Sequence, residues 1–192
     1  MRNSSQTILA INPGTRYLGM AVFRGNQLKD WRIKILKGRW SREKLKKALT
    51  IISTWIERYQ PDLLVIKRLH PSRSSRGLNS LQTQIQRVCL RKNVTLTQHS
   101  IKYLETVFCQ EERRNKRSLA EAVAADYPEL YFELNIEKLR KNSYHMRMFE
   151  AVALGAVGTN EIDNQLNGQS DLFRSLSAPK QNGKKQGKNP GH

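Results

Sequence analysis

The stretch ILAINPGTRYLGMAVF, Ile8 to Phe23, sets two apolar runs on either side of Pro13-Gly14. Each run is long enough for a strand, and a Pro-Gly pair makes a tight reversal, because proline presets its own φ and glycine tolerates the backbone angles that complete the turn. The stretch therefore predicts an antiparallel hairpin. Asn12 closes its first strand, and a neutral amide at that point, beside a tight turn, is the feature that the rest of the sequence has to explain.

Working outward, Gln27 to Lys37 alternates apolar and polar residues at Leu28, Trp31, Ile33 and Ile35, with one slip near Asp30-Trp31, as a third antiparallel strand would. Ser41 then offers an N-cap. Leu45, Leu49, Ile52, Trp55, Ile56 and Tyr59 come next at helical spacing up to Pro61, which places Lys44, Lys46 and Lys47 on the wet side. Leu63 to Ile66 is a short continuous apolar run, the mark of a strand covered on both faces, and charge begins abruptly at Lys67. Gly77 to Arg91 reads as a helix, Val94 to Gln98 as a fifth strand, and Ser100 to Phe108 as a helix. Lys116 to Asp126 makes another, broken by Tyr127-Pro128, and Ser143 to Val157 a last one. Three strands succeeded by alternating helices and strands predict an α/β fold with a mixed five-stranded sheet flanked by helices.

The chain has 192 residues, enough for one domain with a real core, taken as 1–177, and a tail, 178–192. The tail APKQNGKKQGKNPGH has four lysines, no acid and no apolar run, a composition expected to be disordered. Setting those lysines aside leaves 30 basic against 16 acidic residues, so the net charge of +18 belongs mainly to the folded part. Such an excess calls for a polyanionic partner, nucleic acid first. No apolar run approaches the length of a membrane span, so a membrane is not expected as the partner. The N-terminus shows no signal region and the expected location is cytoplasmic. Cys89 and Cys109 have no partner spacing for a disulfide or zinc site, and His70, His99 and His145 share no ligand spacing.

The hairpin stretch resembles the first strand and turn of the RuvC family of Holliday-junction endonucleases, whose pattern is I-D-P-G-[ST]-x-x-x-G. PDLLVIKRLHP (Pro61 to Pro71) is similar to their fourth strand, MRMFEAVALGAV (Met146 to Val157) to their final helix with its D-x-x-D-A-x-A-L core, and NKRSLAEAVAADYPEL more weakly to a lysine-led helix that faces DNA. The resemblance spans roughly residues 7 to 158 and implies the ribonuclease H-like fold. It also implies a site where four acids hold two magnesium ions for phosphodiester cleavage.

In this sequence those positions are Asn12, Lys67, Arg147 and Glu150, so only Glu150 keeps a carboxylate. A lysine ammonium about 4 Å from a divalent cation, at an effective dielectric near 20, is repelled by roughly 8 kcal/mol before screening. The expected result is a degenerate site with no metal and no cofactor, in which Lys67 and Arg147 neutralise Glu150 or contact a phosphate. A rearranged magnesium nuclease stays open as an alternative if Asp62, Glu105 or Asp126 joins Glu150.

Between Asp62 and Glu105 there is no acid, while eight lysines and arginines occur there. Arg68, Arg73, Arg76, Arg113, Arg114 and Lys116 are the expected phosphate contacts, and Tyr103, Tyr131 and Tyr144 are candidates either for base stacking or for core and rim. The expected function is binding of DNA, branched DNA included, or RNA without cleavage. A protein-interaction subunit of a nucleic-acid machine is the other alternative. The resemblance also implies a homodimer through the helix after the fourth strand, where Leu78, Leu81, Ile85 and Val88 form an apolar stripe that serves equally well as core.

Overall fold

The computed structural model of the chain describes residues 6–139 and 144–177, and the side chains among them except those of Arg73, Arg113 and 163–177. Strands β1 (Thr7–Asn12), β2 (Tyr17–Arg24) and β3 (Gln27–Ile35) form the expected meander. In its third strand Leu28 pairs with Phe23 and Asp30 with Val22, so Lys29 is an inserted residue. This bulge is the slip in the alternation, displaced by one position from where the sequence put it.

Helix α1 (Arg42–Tyr59) starts where Ser41 Oγ accepts from the backbone N–H of Lys44, and β4 (Leu63–Lys67) comes after it. Then come α2 (Arg76–Arg91), β5 (Thr95–His99) and α3 (Ile101–Phe108). The last helices are α4 (Lys116–Asp126), α5 (Tyr131–Leu139) and α6 (Met146–Ser177). The sheet order is β3-β2-β1-β4-β5, with β4 and β5 parallel to β1.

Side chains alternate across a sheet, so the register divides the core into two halves. Leu9, Ile11, Leu18, Met20, Val22, Leu64 and Ile66 form one cluster with Ala48, Ile52, Trp55 and Ile56 of α1 and Leu81, Ile85, Val88 and Cys89 of α2. The α2 stripe is thus consumed inside the chain and is not the dimer surface it was a candidate for; only Leu78 of the four is not fully buried. Burial in this cluster raises the Cys89 thiol to about 11. The opposite face, with Ile8, Ala10, Phe23 and Val65, takes α6 so closely that a Cβ on Gly155 would meet the Phe23 ring at 2.3 Å and one on Gly158 would meet Val65 at 2.6 Å.

Two features depart from expectation. Lys44 is not on the wet side: it is buried, its Nζ donating to the Gly38 carbonyl and tying the β3–α1 connection to the first turn of the helix. The strands also leave more helix than expected, since α5 was not anticipated and α6 continues beyond Val157. The contacts divide the chain into a unit of Met1–Asn160 and one of Glu161–His192; of the latter, the described part is helical through Ser177. The tail 178–192 and Ser143 lie outside the described residues.

Candidate nucleic-acid interface

Register alone brings the first two site residues together. Ile8, Ala10 and Asn12 alternate onto the α6 face of β1, and Val65 and Lys67 onto the same face of β4. Because Ala10 pairs with Val65 in parallel register, Asn12 and Lys67 end side by side at the carboxyl ends of the two strands. This is the edge at which open α/β sheets characteristically present their sites. Helix α6 supplies the third element, with Arg147 and Glu150 three residues apart on one side of its first turns.

Glu150 is the centre of the cluster, at 1 % exposure. Its Oε2 accepts from Asn12 Nδ2 at 2.7 Å and from the Lys67 ammonium, and Lys116 Nζ stands 2.9 Å from Oε1. Burial pushes this carboxyl up, but the charges of Lys67 and Lys116 outweigh burial and hold it below the usual range. Lys67 is lowered as well, but there burial is the larger effect. Its removal from water lowers its affinity for a proton; Glu150 opposes that, while the nearby Lys116 and Arg147 reinforce it.

Arg147 does not neutralise Glu150, contrary to expectation. Its Nη1 donates to the Pro13 carbonyl at 3.2 Å and to Asn12 Oδ1 at 3.4 Å, so the guanidinium is spent on the hairpin turn. The turn is cut to receive it: a Cβ on Gly14 would lie 2.7 Å from Arg147 Cζ, and one on Gly19 only 2.0 Å from the Arg147 carbonyl oxygen. The second cation on Glu150 is Lys116, which sequence reasoning put among the surface phosphate contacts. The signal for its placement is Asn115, whose side chain caps α4 by accepting from the N–H groups of Arg117 and Ser118 and so fixes Lys116 as the first helical residue.

Of the remaining expected phosphate contacts, Arg68, Arg76 and Arg114 have described side chains. Arg68 is exposed, its backbone N–H bonding the His99 carbonyl at 2.7 Å and its Nη2 the Gln98 carbonyl at 3.4 Å. Arg76 is exposed on the first turn of α2. Arg114 pairs with the exposed Glu111 at 3.3 Å. The side chains of Arg73 and Arg113 lie outside those described.

Divalent metal does not fit these residues. A single carboxylate, already facing two ammonium groups and an amide donor, gives a hard cation too few anionic oxygens and sets two like charges beside it. Asp62 is at the other end of β4, where its Oδ2 accepts from the backbone of Thr7 at 2.8 Å. Among the described residues no group of three or more His, Cys, Asp or Glu side chains is placed to hold a metal.

The sheet order, the hairpin turn against α6 and the site at the ends of β1 and β4 define a ribonuclease H-like α/β domain. The chain is RuvC-like in fold. RuvC of Thermus thermophilus superposes with a TM-score of 0.60 at 12% identity, over 84% of this chain and 96% of that one. The yeast mitochondrial Holliday junction resolvase gives 0.64 at 12% identity, over 90% and 85%. The fowlpox virus Holliday junction resolvase gives 0.54 at 14% identity, over 81% and 99%. No protein-family model and no curated sequence matches the chain.

Proposed function

We propose that this protein binds the sugar-phosphate backbone of nucleic acid without cutting it, through a resolvase-type edge whose metal site has been replaced by an internal ion-pair cluster. The observation that carries the reading is the state of Glu150, held by Lys67, Lys116 and Asn12 where a nuclease needs free carboxylate oxygens. Lys67 and Lys116 face one carboxylate and Arg147 lies beside them on the hairpin turn, so the pocket keeps a positive surplus. Lys116, half exposed at 52 %, has donors directed to solvent as well as to Glu150.

The acid-free run from Leu63 to Leu104 extends that surplus along the same edge through Arg68 and Arg76. Thermus RuvC and the fowlpox enzyme have both been solved with Holliday junction DNA, which makes branched DNA the first substrate to try. Gel shifts with duplex, four-way junction, single-stranded DNA and structured RNA, each at two salt concentrations, test the reading. The expected result is binding that weakens steeply with salt and intact substrate with magnesium or manganese. Absence of salt-dependent binding to every probe would overturn it in favour of a protein-interaction role, and metal-stimulated cleavage lost in Glu150→Gln would overturn it in favour of an active nuclease.

A further inference from the structure

Next to the ion-pair cluster the sheet carries an aromatic stack that backbone binding does not use. His99, the last residue of β5, is the register partner of Lys67, so the two share the face that carries α6, about 5 Å apart across the ladder. The Tyr103 ring lies on the His99 ring with centroids 5.1 Å apart and planes 27° from parallel, and Tyr103 is 44% exposed. Ser100 fixes this geometry, its hydroxyl accepting from the Tyr103 N–H as the N-cap of α3.

Tyr17 and Tyr144, the other aromatic pair near the turn, meet edge to face at 90° and are only half exposed, so neither offers a comparable open ring. Tyr103 differs in being the outer layer of a parallel stack. Lys102 beside it is exposed, and no acid precedes Glu105 in this part of the chain. A flat, open aromatic surface one strand spacing and one ring layer from a cationic pocket has the make-up of a single-stranded nucleic-acid site, where rings take bases and lysines take the adjoining phosphates.

We infer that Tyr103 receives an unpaired nucleobase, continuing the His99–Tyr103 stack, while the phosphate next to that base lies against Lys67 and Lys116. The site selects exposed bases at single strands or branch points over continuous duplex, whose bases are already stacked on each other. This rests on the proposed nucleic-acid binding and adds a preference to it.

The test is fluorescence titration of a single-stranded oligonucleotide carrying one 2-aminopurine, beside a fluorescein-labelled duplex of the same sequence, with wild type, Tyr103→Ala and Tyr103→Phe. Circular dichroism controls for folding, and Tyr103→Phe keeps the ring. Stacking predicts that wild type changes 2-aminopurine emission, that Tyr103→Ala abolishes this change and weakens single-strand binding by about tenfold or more, that Tyr103→Phe restores both, and that duplex affinity moves by less than about twofold. Equal losses on both probes, or no loss in Tyr103→Ala, would overturn the stacking site and leave backbone binding standing. No salt-dependent affinity of wild type for either probe would overturn both.

Discussion

Replacing Glu150 by leucine removes the carboxylate on which the pocket is organised and leaves Lys67 among cations. At hydrogen-bond distance and an effective dielectric near 20, one opposite unit charge contributes about 5 kcal/mol, against a desolvation cost of several kcal/mol per buried ion. The intact pair therefore nets little, while a broken one leaves a charge without compensation. Glu150→Leu is expected to cost about 5 kcal/mol. Lys67→Met is expected to cost about 3 kcal/mol, because Lys116 still faces Glu150 from 2.9 Å. The double variant Lys67→Met/Glu150→Leu should cost less than either single change, since Lys116 is half exposed and can turn to water. Urea unfolding monitored by tryptophan fluorescence measures all four species. Additive losses, with the double variant the least stable, would refute the reasoning.

Glu150 also sets a pH dependence. Its folded-state value is held below the ordinary 4.5, so its contribution is complete above that value and is lost as pH falls through the lower folded value. The stability difference between wild type and Glu150→Gln should shrink below about pH 4.5, and a difference independent of pH in thermal unfolding would contradict this. Gly19→Ala drives a methyl into the Arg147 carbonyl, where backbone must move, and should destabilise by about 1 to 3 kcal/mol or more in the same urea assay. Leu81→Ala should cost about 2 to 5 kcal/mol as a core cavity and leave the mass measured by light scattering unchanged, because Leu81 is fully buried within the chain. Arg76→Ala, on the exposed start of α2, should leave stability alone and reduce the slope of log affinity against log salt by about one.

Much of this structure was legible because it is local. The Ser41 cap, the apolar run ending at Lys67 and the helix opened by Asn115 each arise from a few neighbouring residues, and the parallel register of β1 and β4 then puts Asn12 beside Lys67. The Pro13-Gly14 connection is wider than the tight turn expected, since Asn12 pairs with Gly19 and Gly14 takes no positive φ. The features that sequence could not give depend on distant partners. Helix α5 has no strong periodic signal, and it is tied to the sheet by the Trp31 indole donating to Glu133 at 2.8 Å, across 102 residues. Lys44 looks solvated on a helical wheel because its acceptor is a carbonyl in the preceding connection. In the pocket, charge inversion was readable but charge pairing was not. Lys116 takes the place beside Glu150 expected of Arg147, since the close approach at Gly14 and Gly19 leaves the guanidinium on the turn and Asn115 fixes the start of the helix that brings the lysine in.

The central claim is that lysines do within this fold what metal ions do in a nuclease's, holding the carboxylate and facing the phosphate, with no chemistry resulting. Incubation of wild type with end-labelled four-way junction in EDTA, and then addition of excess magnesium, tests it most directly, with bound and cleaved fractions read from parallel native and denaturing gels. The account predicts a salt-sensitive complex already formed in EDTA and full-length strands after magnesium. A complex that forms only with magnesium, or strands cut once magnesium is present, would contradict it.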